Sequence, residues 1–237
     1  MEQLFSERMS TRIGLISDPH ATPAPLAEAL AIFRREGVSQ VLCAGDIGGY
    51  GDSLDETVAL LQADNVIAVR GNHEQWALQR EHFTGSEASR AYFAALPASI
   101  SLSVAGVSLY MVHAEPPDRT RNGLRLFDPT GEVNEAVRRQ WVERLEGFAH
   151  DVLILGHTHQ VYAERLAATL VINPGSCRFN HSCAILHLPE QRIEWFALSG
   201  QRFPSTPSLR RRLSFFPFQY LPIRNDRKIP APGRSSQ

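Results

Sequence analysis

Five apolar segments of this sequence each end in a side chain that can bind a metal ion, and this pattern constrains the fold more than any other feature. The clearest segment is Val41–Ala44, a run of small and β-branched residues followed by Gly45 and Asp46. Such a run predicts a buried strand whose end places a carboxylate at the carboxyl edge of the sheet. Open α/β sheets bind ligands at that edge. We therefore interpret Asp46 as a bridge between two metal ions.

The hydrophobic pattern changes from alternating strands and helices to strands alone. Strands are predicted at 13–17, 41–44 and 66–69, with helices at 26–33, 54–63 and 75–96. A hairpin at 100–104 and 107–111 follows, and then a polar loop over the site at 116–132 and a helix at 135–148. Further strands are predicted at 152–155, 161–165, 169–172, 184–188 and 193–198, with a turn at 173–176. Alternating βα units followed by a meander predict two packed sheets with helices outside.

Seven candidate ligands follow the five strands: Asp18, His20, Asp46, Asn72, His113, His157 and His159. Pro19 favours extended geometry at Asp18, so we expect Asp18 and His20, two residues apart, to point to the same side. The same argument pairs His157 with His159.

The chemistry of these ligands favours a dinuclear metal centre. Imidazole, carboxylate and amide groups without thiolate suit Mn²⁺, Fe or Zn²⁺. Two such ions, balanced by two carboxylates and a bridging hydroxide, would attract a phosphate ester and promote its hydrolysis. We predict His73 to be the general acid for the leaving oxygen. Arg70 has two open interpretations, a phosphate clamp or a surface residue.

Each of these signals taken alone is more often structural than functional, because Gly-Asp, Asn-His and His-x-His are common in turns. Five of them at five strand ends favour a site. The remaining histidines are interpreted as ordinary surface or core residues: His82, His150, His181 and His187. Cys43 is interpreted as a small buried hydrophobe.

Composition sets the domain organisation and the expected compartment. The 237 residues are 43% hydrophobic, and the three cysteines lack paired or zinc-type spacing. With no apolar core in the first ten residues and no run of membrane-span length, we expect a cytoplasmic protein without membrane contact. We predict one domain over 1–200 and a basic Pro/Arg-rich tail over 201–237, where eight residues are basic and one is acidic. The remainder holds 16 basic and 24 acidic residues, which argues against a broad nucleic-acid surface.

The motifs together resemble those of the calcineurin-like metallophosphoesterase superfamily. They are Asp18-Pro19-His20, Gly45-Asp46, Gly71-Asn72-His73-Glu74, His113 and Gly156-His157-Thr158-His159. The resemblance covers about residues 12–198 and implies a four-layer αββα sandwich with two packed mixed β-sheets and a C-terminal extension. It also implies two divalent transition-metal ions, Mn²⁺ first and Fe or Zn²⁺ as alternatives. One would be bound by Asp18, His20, Asp46 and His159, and the other by Asp46, Asn72, His113 and His157.

Departures from the superfamily pattern leave alternatives open. Ser/Thr phosphatases of this superfamily carry an Asp-Arg pair shortly after the bridging aspartate, and Gly49 and Tyr50 stand there instead. This stretch resembles the small prokaryotic phosphodiesterases and phosphatases, so we expect a hydrolase acting on a small phosphorylated substrate. The alternatives are a protein Ser/Thr phosphatase, or a non-catalytic scaffold that binds a protein through the aromatic residues Phe215, Phe216, Phe218 and Tyr220.

Overall fold

The computed structural model describes residues 10–199, and within this range the chain forms ten strands and five helices. The strands are β1 (Thr11–Ile16), β2 (Gln40–Cys43), β3 (Ile67–Ala68), β4 (Ser99–Val104), β5 (Val107–Val112), β6 (Val152–Ile154), β7 (Val161–Leu166), β8 (Thr169–Pro174), β9 (Ser182–Leu188) and β10 (Arg192–Ala197). The helices are α1 (Pro23–Arg35), α2 (Leu54–Ala63), α3 (Asn72–Gln79), α4 (Glu87–Ala95) and α5 (Glu135–Arg144).

The strands form two sheets of five, and each sheet mixes parallel and antiparallel pairing. The first sheet has the order β10-β9-β1-β2-β3, with β1, β2 and β3 parallel to one another. The second has the order β4-β5-β6-β8-β7, with β5, β6 and β8 parallel. Antiparallel strands complete one edge of the first sheet and both edges of the second. Parallel strands therefore occupy the middle of the second sheet and extend to the β3 edge of the first, and their carboxyl ends are free to carry a site.

The two sheets pack face to face because their central strands alternate side chains between two apolar environments. In β1, Ile13 and Leu15 point into the core between the sheets, whereas Ile16 packs toward the helices. The core between the sheets also contains Leu109 of β5. A third apolar cluster around Trp141 of α5 covers the outer face of the second sheet. This arrangement confirms the predicted αββα sandwich.

The single helix predicted over residues 75–96 is wrong, because the chain forms α3 and α4 with a break between them. Gly85 adopts a φ of 138° in this break, a conformation that a helix does not allow. Ser86 then caps α4, and its side chain accepts a hydrogen bond from the amide of Ser89. Asp55 of α2 accepts hydrogen bonds from both the amide and the hydroxyl of Ser86. A contact with another helix thus fixes the break.

The predicted meander of strands is divided between the two sheets. β7 and β8 pair in the second sheet, whereas β9 and β10 pair in the first, so the chain crosses between sheets at 175–181. The turn predicted at 173–176 is wrong in its first half, because Asn173 and Pro174 end β8. The predicted helix at 135–148 ends early, at Arg144, shortly before Gly147 adopts a left-handed φ of 75°.

Two predictions concern residues that the structure does not describe. The domain boundary at 200 and the basic tail over 201–237, with its aromatic residues, lie outside the described residues and stay predictions. Across residues 10–199, no helix combines the length and the apolar character needed to cross a membrane.

Candidate metal centre

The seven predicted ligands come together at the carboxyl ends of the central strands. Four of them follow strands of the first sheet, namely Asp18, His20, Asp46 and Asn72, and three follow strands of the second, namely His113, His157 and His159. Six of the seven, all except Asn72, belong to groups whose ligand atoms lie within 4.8 Å of one another. The site therefore joins the two sheets.

Asp18, His20 and His159 form the first cluster. Nε2 of His159 lies 3.1 Å from Oδ1 of Asp18 and 3.2 Å from Nε2 of His20. Nε2 of His20 lies 3.7 Å from the same carboxylate oxygen. The other oxygen of Asp18 accepts hydrogen bonds from the hydroxyl of Ser17 and the amide of His157. One carboxylate oxygen and two imidazole nitrogens thus converge, as a transition-metal ion requires.

Asp46, Asn72, His113 and His157 form the second cluster. Oδ2 of Asp46 lies 3.3 Å from Nε2 of His113. The side-chain oxygen of Asn72 lies 3.2 Å from Nε2 of His113, 2.9 Å from Nδ1 of His157 and 3.0 Å from the carbonyl oxygen of Thr120. Rotating the Asn72 amide by 180° would place its NH2 group, a donor, among these three acceptors. A bound cation would instead satisfy them with the Asn72 oxygen in its present position. The donor set therefore fits a divalent ion.

Asp46 lies within reach of both clusters. A further group combines Asp46 with His20 and His73, again with ligand atoms within 4.8 Å of one another. Oδ1 of Asp46 accepts a hydrogen bond of 2.9 Å from the amide of His73, and Oδ2 lies 3.9 Å from Nε2 of His73. His73 is thus placed beside the centre, and its assignment as a proton donor instead of a ligand stays a prediction.

The electrostatics of the metal-free site favour an ion pair between Asp46 and His113. Burial disfavours the charged form of each, but their mutual attraction outweighs burial, lowering the pKa of Asp46 and raising that of His113 to about 9. Burial, with the positive charge of His113, lowers the pKa of His157 to about 4. Burial also lowers the pKa of His20. His20 and His157 are therefore neutral near pH 7, whereas His113 must lose a proton to bind a metal.

Left-handed backbone, and not extended backbone, positions five of the ligands. The φ angles are 53° at Asp18, 47° at His20, 52° at Asp46, 62° at His157 and 54° at His159. The expected extended geometry is therefore wrong. Asp18 and His20 still meet, but His157 and His159 join different clusters. Such φ values are costly for residues other than glycine and persist where surrounding contacts enforce them, here including a hydrogen bond from the amide of His20 to the carbonyl of Asp46.

The family of the chain is decided by a match to a sequence model. The model of the calcineurin-like phosphoesterase superfamily domain matches residues 11–190, which is most of the chain. The chain belongs to this superfamily. It is also 24% identical over 183 residues to an uncharacterized protein of Methanocaldococcus jannaschii, with 70% of each chain covered. Membership of a phosphoesterase superfamily and the His/Asp clusters together support phosphate-ester hydrolysis and divalent metal binding.

Several solved structures share the fold of this chain. A metallophosphoesterase from Sphaerobacter thermophilus has a TM-score of 0.64 and 21% identity, covering 86% of this chain and 94% of that one. A hypothetical protein from Pyrococcus horikoshii has a TM-score of 0.62 and 16% identity, covering 86% and 92%. An archaeal phosphodiesterase has a TM-score of 0.51 and 19% identity, covering 78% and 98%. At these identities the likeness establishes the architecture.

Glu74 has a role in the site that sequence reasoning missed. Its carboxylate is fully buried and accepts hydrogen bonds from the amides of Asp46 (3.0 Å), Gly48 (2.9 Å) and Gly71 (2.8 Å). Burial and the negative charge of Asp46 raise the pKa of Glu74 to about 7. The signal was a glutamate at the third position of a helix, where side chains commonly accept from the capping amide. Glu74 ties the loop after β2 to the start of α3.

Asn173 also has a supporting role that sequence reasoning, which placed it in a turn, did not identify. Its buried amide donates to the carbonyl of Gly156 (2.7 Å) and to the hydroxyl of Thr158 (3.1 Å). Thr158 in turn donates to the carbonyl of Leu124, in the loop predicted to lie over the site. The loop over 116–132 therefore contacts and supports the turn that carries His157 and His159, and its predicted position over the site stays a prediction.

The remaining sequence predictions concern residues around the centre. The amide of Arg70 donates to the carbonyl of Pro97 (2.8 Å), and its role as a phosphate clamp stays a prediction. Cys43 is buried, as predicted. Three of the other histidines bond away from the seven ligands, His150 to Ser101, His181 to Ser199 and His187 to Glu194, and His82 is exposed.

Proposed function

We propose that this protein hydrolyses a phosphate ester, either a phosphodiester or a phosphomonoester, with two divalent transition-metal ions. The observation that carries the proposal is the convergence of carboxylate, amide and imidazole ligands into two clusters with Asp46 within reach of both. The membership of the chain in a phosphoesterase superfamily supports the same reaction.

The proposed ligands divide between the two ions. The first ion would be bound by Asp18, His20, Asp46 and His159, and the second by Asp46, Asn72, His113 and His157. When bound, the ions supply a hydroxide nucleophile at neutral pH and the positive charge that holds the phosphoryl oxygens. The protein leaves much of that charge available, because Asp18 and Asp46 are the only two anionic members of the set.

His73 is proposed to donate a proton to the leaving oxygen. Its ring lies beside Asp46 and is half-buried, and it lines an open cavity instead of the core. Burial lowers the pKa of His73, and the neighbouring carboxylates of Asp46 and Asp18 oppose that effect. A lowered pKa makes the protonated ring a stronger acid toward the leaving oxygen.

The identity of the ions and the compartment are also proposals. The oxygen and nitrogen ligands without thiolate support Mn²⁺, with Fe and Zn²⁺ as alternatives. The cysteines Cys43, Cys177 and Cys183 are all buried and free, which supports a reducing, cytoplasmic setting.

The test replaces the bridging carboxylate. Purified protein is stripped of metal and reloaded with Mn²⁺, Fe²⁺ or Zn²⁺, and bound metal is measured together with hydrolysis of aryl phosphomonoesters and phosphodiesters. Asp46→Asn should abolish hydrolysis and reduce the bound metal, because the carboxylate is proposed to contact both ions. Asp64→Asn is the matched control, since Asp64 pairs with Arg34 away from the site.

The wild-type protein is expected to retain about two ions per chain and to be active with at least one of the metals. Two retained ions and ordinary turnover in Asp46→Asn would refute the bridging role. A folded wild-type protein that binds no metal would favour the non-catalytic scaffold instead.

A further inference from the structure

A cavity of about 360 Å³ lies beside His73, and the proposed hydrolysis assigns it no role. The loop after β2 lines one side with Gly48, Gly49 and Tyr50, and α3 lines another with His73 and Trp76. Gly49 is required here, because a Cβ atom would lie 2.1 Å from Nδ1 of His73. The cavity is therefore continuous with the position of the proposed proton donor.

Aromatic rings form the walls of this cavity. The ring centroid of His73 lies 4.8 Å from that of Tyr50 and 5.1 Å from that of Trp76. Within the described residues, the large hydrophobic side chains that are exposed are Tyr50 (64%) and Phe179 (42%), with centroids 5.5 Å apart. Tyr50, the more exposed of the two, lines the cavity, and exposed aromatic area at a cleft indicates a surface that a ligand covers.

The polar residues of the cavity favour a neutral group with a hydrogen-bonding edge. Arg80 and Asp52 both line it, so its charges balance, and Thr84 adds a hydroxyl. A polyphosphate or an acidic peptide would call for an excess of positive charge. Leu54 and Phe93, both buried, form the inner wall, so the space suits a compact group better than an extended chain.

We propose that this cavity binds the nucleobase of a nucleoside leaving group, with Tyr50 and Trp76 as specificity-determining residues. The inference rests on the proposed hydrolysis. In that reaction a water molecule gives up a proton to solvent and its oxygen bonds to phosphorus as the bond to the leaving oxygen breaks. The leaving oxygen takes the proton of His73 to depart as a neutral alcohol, and solvent then protonates His73 again. Because His73 lines the cavity, the base attached to that alcohol lies between the aromatic walls.

The first experiment compares substrates that differ only in the base. Adenosine 5′-monophosphate and ribose 5-phosphate release the same kind of primary alcohol, so the ratio of their kcat/KM values reports base binding. The ratio should be about tenfold or more, the scale of base stacking on aromatic side chains. For the methyl diester of adenosine 5′-monophosphate, adenosine and methyl phosphate should be the products, not the nucleotide and methanol.

The second experiment changes the walls. Tyr50→Ala and Trp76→Ala should each lower the ratio about tenfold, whereas Tyr50→Phe, which keeps the ring, should preserve it. A plain aromatic ring is tested by 2-phenylethyl phosphate against ethyl phosphate. If the phenyl ring raises kcat/KM as much as the adenine base does, the assignment to a nucleobase is overturned. The hydrogen-bonding edge of the base would then contribute nothing to binding.

Binding is measured separately in the metal-free protein. Trp141 and Trp195 are 3% and 1% exposed, so quenching of tryptophan fluorescence by adenosine reports on Trp76. The quenching should be saturable and should disappear in Trp76→Phe. Hydrolysis of both sugar esters with equal kcat/KM and no quenching would overturn this inference and leave the proposed function intact. If the protein hydrolyses neither sugar ester and no aryl ester, the proposed function is overturned. Fluorescence quenching by adenosine would then be the test of whether the cavity binds a nucleobase.

Discussion

His73 is fixed at both its backbone and its ring, which makes it a precise residue to test. Its amide donates to Asp46 while its ring packs against the rings of Tyr50 and Trp76. His73→Ala should keep the metal ions but lose hydrolysis rate by about 10²-fold or more, the scale of removing an acid catalyst. The loss should be smaller for p-nitrophenyl esters, whose leaving group needs little protonation. Turnover with leaving groups of graded pKa measures this.

The matched control for this substitution is His82→Ala, which removes an exposed imidazole a few residues further along the chain. Equal losses for good and poor leaving groups would count against an acid role. Loss of bound metal in His73→Ala would make His73 a ligand, a position its distance from Asp46 and His20 allows.

Metal uptake should depend on pH through His113. In the metal-free protein the pKa of His113 is about 9, so the imidazole is protonated at pH 7 and must release a proton to bind an ion. The pKa of His157 is about 4, so this ligand is already neutral. Affinity at the second cluster should therefore rise about tenfold per pH unit from pH 6 toward 9. Calorimetric titration in two buffers measures the released proton, and constant affinity over this range would contradict the ion pair.

At the scale of elements, the loop over 116–132 supports the turn that carries two of the ligands. Leu124 is buried against the outer cluster of α5, and its carbonyl accepts from the hydroxyl groups of Thr158 and Tyr162. Leu124→Ala should destabilise the fold by about 2–5 kcal/mol, as for other buried leucines, and should also weaken metal binding. Denaturant unfolding and metal titration measure the two effects.

Leu61→Ala is the matched control for this element. Leu61 is equally buried, but it lies on α2 in the cluster on the other side of the molecule. This substitution should cost similar stability and leave metal affinity unchanged in the folded protein. Equal metal affinity in both variants would show that the loop packs on the site turn without holding it.

At the scale of the whole molecule, the centre joins the two sheets, and all of its proposed ligands precede residue 160. The last strand of the described fold, β10, ends at Ala197. A chain ending at Gly200 should therefore retain two bound ions and full hydrolysis, because every proposed ligand and both sheets remain. Metal analysis and kcat on the shortened protein test this. Lost activity in folded, metal-loaded protein would instead place residues from 201–237 at the site, with their arginines as phosphate-binding candidates.

Local sequence predicted the strands well and the breaks in helices poorly. All ten strands were predicted from apolar runs or from the alternation of apolar and polar residues. A strand with one or two buried faces needs such a pattern, irrespective of which element packs against it. The break between α3 and α4 depends on Asp55 of α2 accepting hydrogen bonds from Ser86, a contact distant in the chain. Helical periodicity alone continues through such a break, so the pattern favoured one helix.

The pattern of the sequence determined two packed sheets with helices outside and the seven residues that meet at the carboxyl ends of the strands, and the resemblance of its motifs implied the mixed αββα class. Strand ends converge in any sheet of this kind, so ligand type and position could be read from order along the chain. The resemblance of the motifs already implied how the ligands divide, but only the tertiary structure gave the physical reason, because left-handed turns at His157 and His159 separate two residues that alternation would pair. It alone also revealed Glu74 and Asn173, whose partners lie in loops from other strands, and the aromatic cavity, whose walls come from two separate elements.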